Sequence, residues 1–379
     1  MNQPAHETEL FGGQSYFDAM LRDIEAAQRE IRIEAYTFRF DHTGTAVLDA
    51  LERAAARGVD VYMVVDGLGS PEMTVEQERA VAARGIRVLT YRRLTNVGIF
   101  DRVHGRLHRK LAVFDRSVLF IGGLNIADQY ADKGPECFFD LAVRVRGPVA
   151  EKAAALTEAF YESARLSIPA RWRLPRPRRA PRRAPDGSIP VEFVVRDNHR
   201  NRRAIERSYR AAIRGSRRTI LLAHAYFLPS RAFINELLRA ARRGVEIDLM
   251  VQGKAEHRLL QLAQVSVYHR LHAAGVRIHE YRKRLLHTKV AVVDSEWVTI
   301  GSSNLDLWSG MSNLEANVNL VDGPLASKIE ELLCRCRKCD CERFEPGNVS
   351  MVGRWISYAA NRLMRLVFVV TGGRRNLPG

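Results

Sequence analysis

The sequence predicts an α/β fold made of two similar halves, each a mostly parallel sheet flanked by helices. Three observations predict it: apolar β-branched segments alternate with helical segments, a strand–helix–strand order occurs twice, and the two copies keep a constant offset. Tyr36 and Tyr226 are 190 residues apart, as are Gly85 and Gly275. Such a long internal repeat indicates two related structural units.

The predicted strands and helices form matched pairs in the two halves. In each half the first strand precedes a helix that we expect to stop at Gly58 or Gly244, because glycine readily adopts the conformation that terminates helices. A short β-branched strand follows that glycine, and a third strand completes the copy. The matched strands are predicted at residues 31–38 and 220–227, 61–65 and 247–251, and 85–92 and 275–282.

Composition and repeat boundaries divide the chain into four segments. The stretch between the halves is rich in arginine and proline and cannot build a core. The last stretch holds four of the five cysteines and a basic amphipathic sequence. The segments are an N-terminal half at 8–170, a linker at 171–190, a C-terminal half at 191–325 and a tail at 326–379.

The chain is strongly basic, with 59 Lys and Arg residues against 43 Asp and Glu residues and a net charge of +16. Such a surface favours polyanions, either nucleic acid or an anionic membrane face, and charge alone does not choose between them. The sequence has no run of 18 apolar residues and its polar N-terminus has no signal-peptide pattern, so we expect a cytoplasmic location without a membrane span.

One short motif occurs twice with identical spacing. Histidine and lysine are separated by one residue, which puts both side chains on the same face of a strand. An aspartate follows the lysine by five residues, and a glycine-led segment then ends in an asparagine. Two copies inside a wider repeat make an accidental pair of surface sequences a poor explanation. The copies are His108, Lys110, Asp115 and Asn125, and His287, Lys289, Asp294 and Asn304.

One histidine, one lysine and one asparagine from each half can converge on a single anion, and the pattern resembles the paired motif of the phospholipase D superfamily. That resemblance implies chemistry on a phosphodiester, an anion whose charge must be neutralised during attack. Lys110 and Lys289 supply positive charge, while Asn125 and Asn304 donate amide hydrogens to phosphate oxygens. One histidine can attack phosphorus and form a phosphohistidine, and the other can move the proton of the leaving or incoming alcohol. The scheme requires no metal and no cofactor.

The duplicated motif resembles the HxKxxxxD signature of the phospholipase D superfamily. The resemblance implies that the two halves meet face to face and that both motifs form one shared active site. It places Asp115 and Asp294 in the catalytic motif, although we expect both to act as structural supports rather than to contact phosphate.

The same resemblance implies that an acid orients each histidine. The candidates are Asp140 in the first half and Glu315 in the second, with Glu136 as a weaker candidate. By the tendency of better-known members, His108 is expected to be the nucleophile. His287, held by Glu315, is then the general acid and base.

The sequence around the motifs is similar to bacterial cardiolipin synthases, in particular the type named B, over about residues 8–322. Gly123 departs from the serine that many family motifs carry. The segments that carry the similarity are 122–130, 134–136, 140, 196–198, 223–227, 280–282, 301–306 and 313–317.

This similarity implies a phosphatidyltransferase of phospholipid biosynthesis. The donor is phosphatidylglycerol or phosphatidylethanolamine, and the acceptor is phosphatidylglycerol. It implies peripheral attachment to the cytoplasmic face of the bacterial inner membrane, and it leaves the oligomeric state open. Two other classes stay open: a phosphodiesterase or basic nuclease with the same paired motif, which we favour less, and an inactive membrane-binding scaffold.

Two signals in the tail each have two interpretations. Apolar residues of 351–370 recur at helical spacing between arginines, which predicts a helix that lies in a membrane interface or packs on the protein's own core. The cysteines from Cys334 to Cys341 form either a four-thiolate zinc site or the exposed end of a helix. We favour the second and predict no metal site.

Two further signals lie inside the C-terminal half. His224, which aligns with Glu34, either lines the site or is a packed strand histidine, and we favour packing. The arginines from Arg196 to Arg218 form either a solvated basic helix face or a contact surface for lipid headgroups.

Overall fold

The computed structural model describes residues 6–94, 105–134, 136–166, 189–198, 201–254, 258–306 and 313–372. Most of the linker predicted at 171–190, the last residues of the first half and the end of the tail lie outside these residues. Within them the chain forms two α/β halves, which confirms the predicted fold class.

The N-terminal half contains a seven-stranded sheet and its flanking helices. Its described elements are β1 (Glu7–Phe11), α1 (Gln14–Ala26), β2 (Glu30–Ala35), α2 (His42–Ala56), β3 (Asp60–Asp66), α3 (Val75–Ala83), β4 (Arg87–Tyr91), β5 (Leu111–Phe114), β6 (Val118–Gly122), β7 (Phe138–Phe139), β8 (Ala142–Arg146) and α4 (Val149–Arg165). Helix α2 begins at Asp41, whose carboxylate accepts a 3.0 Å bond from the Gly44 amide, and ends just before Gly58, whose φ is +88°.

The C-terminal half repeats this arrangement around an eight-stranded sheet and continues into the tail. Its described elements are β9 (Val191–Arg196), α5 (Ala204–Gly215), β10 (Thr219–His224), α6 (Arg231–Arg242), β11 (Glu246–Gln252), α7 (Arg258–His272), β12 (Arg277–Tyr281), β13 (Leu285–Leu286), β14 (Lys289–Val293), β15 (Trp297–Gly301), β16 (Glu315–Val321), α8 (Gly323–Cys339), β17 (Cys341–Arg343) and α9 (Met351–Gly372). Ser230 caps α6, and Gly244 follows its end with a φ of +85°.

Both sheets are mixed, which corrects the prediction that they are mostly parallel. The first has the strand order β1-β8-β6-β5-β2-β3-β4, and its parallel pairs are β2–β3 and β3–β4. The second has the order β17-β12-β11-β10-β14-β15-β16-β9, with β10–β11 and β11–β12 parallel. Short turns join β5 to β6 and β14 to β15, and such turns permit antiparallel pairing alone, because a parallel pair needs a long crossover.

A shared apolar core between the two halves explains why the sequence predicts parallel strands where the structure has antiparallel ones. Along β5, Leu111 and Val113 pack into the shared core, whereas Ala112 and Phe114 pack into the core of the N-terminal half. Strands β6, β8, β14, β15 and β16 also contribute to the shared core. Because these strands are covered on both faces, they appear in the sequence as continuous apolar runs, which are typical of parallel sheets.

The tail packs against the C-terminal half. Strand β17 extends the sheet by pairing with β12, and α9 lies along α7. The Asn361 side-chain amide donates to the Ala263 carbonyl at 3.1 Å and to the Ser266 hydroxyl at 2.8 Å. Within the described residues, no helix has both the length and the apolar character that crossing a membrane requires.

Candidate active site

Main-chain bonds between the halves bring the two His-x-Lys motifs together. The His108 amide donates a 3.0 Å bond to the Leu314 carbonyl, and the Leu314 amide donates a 2.8 Å bond to the Arg106 carbonyl. In the reciprocal position, β13 pairs with β7, and the His287 amide donates a 2.9 Å bond to the Phe139 carbonyl. Each motif is therefore fixed to the opposite half, and the two motifs are close enough that Lys289 acts electrostatically on His108 and Lys110 on His287.

Each histidine is bonded to a carboxylate of the opposite half. His108 Nδ1 is hydrogen-bonded to Glu315 Oε2 at 3.0 Å, and His287 Nδ1 is hydrogen-bonded to Asp140 Oδ2 at 2.6 Å. The expectation that Glu315 holds His287 is therefore wrong: the predicted acids do face the histidines, but in crossed pairs. The weaker candidate, Glu136, is exposed.

The crossing follows from the main-chain bonds. Phe139 and Leu314, whose carbonyls hold the opposite motifs, directly precede Asp140 and Glu315 in the chain. Because an ionised carboxylate can only accept hydrogen bonds, each imidazole donates its Nδ1 proton and keeps Nε2 for chemistry.

The two histidine–carboxylate pairs differ in one neighbouring residue. The Ser302 hydroxyl donates a 2.6 Å bond to Glu315. The equivalent residue in the first half is Gly123, where an added Cβ would lie 2.3 Å from Asp140 Oδ2. The shorter acid therefore occupies the space in which a serine side chain would begin, which explains why the first half carries glycine here.

Lys110 and Lys289 are buried and add positive charge to the same pocket. Lys110 Nζ donates a 2.9 Å bond to the His108 carbonyl, and Lys289 Nζ donates the equivalent bond to the His287 carbonyl. Burial lowers the pKa of Lys110 to about 7; the Glu315 carboxylate opposes this shift and the Lys289 charge adds to it. Two buried cations that repel one another favour the binding of an anion between them.

Burial disfavours the charged form of both imidazoles. Burial lowers the pKa of His287 to about 3, with Lys289 adding to the shift and Asp140 opposing it. Burial also lowers the pKa of His108, against the effect of Glu315. Burial alone would raise the pKa of Asp140, but Lys289 and His287 hold it below its usual value. A neutral imidazole held in this way can attack phosphorus or accept a proton through Nε2.

Asn125 and Asn304 occupy equivalent loop positions but are bonded differently. Asn125 Oδ1 accepts a 3.0 Å bond from the Thr37 amide, and its Nδ2 donates a 2.8 Å bond to the Tyr130 hydroxyl. Asn304 is 6% exposed, and its Oδ1 has no hydrogen-bond partner in the described part of the chain. The side-chain oxygen of Asn304 can therefore accept a hydrogen bond from a ligand hydroxyl, whereas Asn125 is fixed by the protein.

Asp115 and Asp294 lie on the β5–β6 and β14–β15 turns, at the far ends of the motif strands. Each carboxylate accepts three backbone N–H bonds of 2.7–3.0 Å from the segment that leads into the neighbouring strand. With a strand rise of about 3.3 Å per residue, each aspartate is about 16 Å from its motif lysine. These bonds and this separation favour the structural role that we predict for both aspartates.

Three aromatic side chains that the sequence did not indicate as site residues pack against the histidines. The Tyr36 ring centroid lies 4.9 Å from that of His108 and 5.2 Å from Lys110 Nζ. Tyr130 and Phe138 lie 5.4 and 5.3 Å from His287, measured between ring centroids. Tyr36 was visible as a marker of the repeat, but a repeat does not say which side chains face the site.

His224 is a packed strand histidine, as the sequence favours. It is fully buried, and its Nε2 lies 3.2 Å from the Tyr209 hydroxyl. Its counterpart Glu34 instead accepts a 2.6 Å bond from the buried Arg109 guanidinium. Both side chains are therefore bonded to residues of their own half, not to His108 or His287.

The tail cysteines are free thiols in different environments. Cys336 is buried and Cys339 is exposed. Among the described residues, no group of three or more His, Cys, Asp or Glu side chains is placed to hold a metal ion.

Comparisons with known proteins show the family that this chain is similar to. A family model described as "Cardiolipin synthase, PLD-like domain" matches residues 20–161 and 209–336. Cardiolipin synthase B of Escherichia coli (strain K12) is 36% identical over 340 residues, which cover 89% of this chain and 81% of that protein. Cardiolipin synthase A of Pseudomonas putida (strain GB-1) is 31% identical over 331 residues, covering 86% of this chain and 67% of that protein.

Solved structures share the fold at low sequence identity. The crystal structure of phosphatidylserine synthase from Haemophilus influenzae Rd KW20 superposes with a TM-score of 0.72 at 14% identity, covering 97% of each chain. Polyphosphate kinase from Porphyromonas gingivalis superposes with a TM-score of 0.62 at 17% identity, covering 96% of this chain and 53% of that one.

Proposed function

This chain belongs to the cardiolipin synthase family of phospholipase D-like proteins, and we propose that it transfers a phosphatidyl group from phosphatidylglycerol to the free glycerol hydroxyl of a second phosphatidylglycerol. Phosphatidylethanolamine is an alternative donor. The observation that carries the proposal is the pair of histidines, one from each half, with crossed carboxylates and two buried lysines at one pocket. This arrangement supplies a nucleophile, a proton carrier and charge for one phosphodiester.

In the first step, His108 Nε2 attacks phosphorus while the bond from phosphorus to the departing glycerol oxygen breaks. His287 gives its Nε2 proton to that oxygen, so glycerol leaves as a neutral alcohol. The free protein holds His287 neutral through burial and the Lys289 charge. A bound phosphodiester anion offsets that charge, which raises the pKa of His287 and lets it carry the proton.

In the second step, the acceptor hydroxyl gives its proton to His287 and its oxygen attacks phosphorus. The phosphorus–nitrogen bond breaks, His108 returns to its starting form, and the product is cardiolipin. Lys110 and Lys289 neutralise the equatorial oxygens in both steps, and Asn304 donates an amide hydrogen. Transfer rather than hydrolysis requires that the acceptor lipid be held in place and that water be excluded.

Product analysis with defined substrates tests this proposal. Purified protein is given vesicles of phosphatidylglycerol, vesicles that also contain phosphatidylethanolamine, and double-stranded DNA, each without added metal. We expect cardiolipin and glycerol from the first vesicles, and ethanolamine release from the second if that lipid also serves as donor. Cleavage of DNA with no lipid product would favour the nuclease, and vesicle binding with no turnover would favour the scaffold.

We propose that α9 attaches the enzyme to the anionic membrane face. One side of the helix packs on the protein, where Ala360 and Met364 are buried. The opposite side is exposed and apolar: Trp355 is 73% and Leu366 is 60% accessible. The exposed Arg362 lies on this same side, since it is seven residues after Trp355 and four before Leu366. An exposed apolar strip next to cations suits the boundary between acyl chains and anionic headgroups.

Vesicle sedimentation tests this attachment without removing the packed side of α9. The substitutions Trp355→Ser and Leu366→Ser should release the protein from phosphatidylglycerol vesicles, while Leu166→Ser, at an exposed leucine outside α9, should not. Equal vesicle binding by all three variants would contradict the attachment through α9.

A further inference from the structure

A buried arginine with unused hydrogen-bond donors lies beside the histidine pocket. Arg196 ends β9 and is 1% exposed, so it is not part of a solvated helix face. Its Nη1 donates to the Asn198 side-chain oxygen at 3.0 Å and to the Asn313 carbonyl. Its Nε and Nη2 have no hydrogen-bond partner within the described ranges. Unpaired donors on a buried charge cost free energy, so this arrangement points to a ligand that supplies acceptors.

Arg196 lines a small pocket together with Asn304, the asparagine of the second motif. The cavity volume is about 30 Å³. That is room for about two water-sized groups, such as the two free oxygens of a phosphodiester. The pocket is also lined by Arg202, Asp306 and Glu206. The Glu206 carboxylate accepts a 2.6 Å hydrogen bond from the hydroxyl of Ser230, the residue that caps α6.

The arginine makes the two sides of the histidine pocket different. The register of β9 and β16 places Arg196 opposite Glu315. In the first half, the register of β1 and β8, extended by two residues, places Gly13 opposite Asp140. A transfer between two like lipids needs such a difference, because one lipid gives up its phosphatidyl group and the other keeps its phosphate.

We infer that Arg196 binds the phosphate that the acceptor phosphatidylglycerol keeps, and that this pocket is the acceptor subsite. The inference rests on the proposed function and names where its second substrate binds. Asn304 belongs to the second motif and also lines this pocket, so it lies between the transferred phosphate and the phosphate that the acceptor keeps. One glycerol joins these two phosphates in cardiolipin. A phosphoglycerol headgroup carries hydroxyls as well as an anion. The Asp306 carboxylate, which lines the same pocket as Arg196, can accept hydrogen bonds from those hydroxyls. Burial lowers the pKa of Arg196 only to about 10, so it stays charged at neutral pH.

Two acceptors that differ in charge test this inference. Full-length protein is given phosphatidylglycerol as donor, with either phosphatidylglycerol or ethanol as acceptor, and cardiolipin and phosphatidylethanol are measured. Ethanol has no phosphate for Arg196 to bind. In Arg196→Gln the ratio of cardiolipin to phosphatidylethanol should fall about 10- to 100-fold, the loss expected for charged hydrogen bonds. Arg196→Lys, which keeps the charge but not the fork of donors, should recover part of that ratio.

A matched control removes the same charge elsewhere in the same half. Arg239→Gln, at an exposed arginine of α6, should leave the product ratio unchanged. If both products fall in parallel in Arg196→Gln, or if the ratio does not change, Arg196 supports structure alone and the inference fails. If the wild-type protein forms no cardiolipin, the proposed function itself fails, and that result comes from the unsubstituted chain.

Discussion

The crossed pairing predicts that replacing Glu315 impairs His108 and that replacing Asp140 impairs His287. Glu315 is fully buried, and its Oε2 accepts two hydrogen bonds, one from His108 Nδ1–H and one from the Ser302 hydroxyl. Glutamine can keep an acceptor oxygen at the Oε2 position but has no negative charge, so both hydrogen bonds lose their charge-assisted strength. Hydrogen bonds to charged groups contribute about 1.5–3 kcal/mol, which is about 10- to 100-fold in rate.

Two donors with different leaving groups separate the two roles. Phosphatidylglycerol releases an alkoxide that must be protonated, whereas phosphatidyl-p-nitrophenol releases a stable anion that needs no general acid. Glu315→Gln should slow phosphohistidine formation about 10- to 100-fold with both donors, because it acts on the nucleophile. Asp140→Asn should slow it with phosphatidylglycerol and much less with the activated donor.

Rapid quenching at alkaline pH, followed by mass spectrometry, measures the rates because phosphohistidine is labile in acid. The reasoning would be refuted if the activated donor rescued Glu315→Gln and not Asp140→Asn. That result would mean that Glu315 serves the proton carrier, as the sequence alone suggested.

The remaining predictions concern Lys110, Gly123 and Asp115. Because the Lys110 charge is lost as pH rises through about 7, the KM for phosphatidylglycerol should rise above that pH, and Lys110→Arg should flatten this profile. Gly123→Ser should displace Asp140 and lower kcat about 10-fold or more, while adding Asp140→Glu should recover part of the loss; an unchanged kcat in the single variant would contradict the fit. Asp115→Ala should lower stability by about 1–2 kcal/mol in denaturant titrations and leave the specific activity of the folded protein near normal.

Much of the fold follows from the repeat, because matched periodicity fixes which segments are strands and where α2 and α6 stop. Gly58 and Gly244 do have positive φ after these helices. Strand direction was harder to predict, since residues such as Leu111 and Phe114 are buried on opposite faces of β5 and give the apolar run of a parallel strand. The order of the strands in each sheet depends on contacts between segments that are distant in the chain, and the local sequence does not show those contacts.

The site residues follow from the motif, but their partners do not. Asp140 and Glu315 each follow a histidine in their own half, so sequence order suggests pairing within a half. The structure pairs them across the interface because Phe139 and Leu314 accept the opposite histidine amides. The burial of Arg196 could not be predicted from the sequence either, because a buried arginine on a strand and an exposed arginine on a helix look alike in a basic sequence.

The central claim is that two histidines from opposite halves work at one phosphodiester, with His108 as the nucleophile. Mapping the covalent adduct in His108→Ala and His287→Ala, after mixing each with phosphatidyl-p-nitrophenol and quenching at alkaline pH, tests it most directly. We predict a phosphatidyl adduct on His108 in His287→Ala, with slow turnover, and no adduct in His108→Ala. An adduct on His287 in His108→Ala, with none on His108 in the reciprocal variant, would contradict the assignment of the nucleophile. Wild-type turnover in either variant would contradict the shared two-histidine site itself.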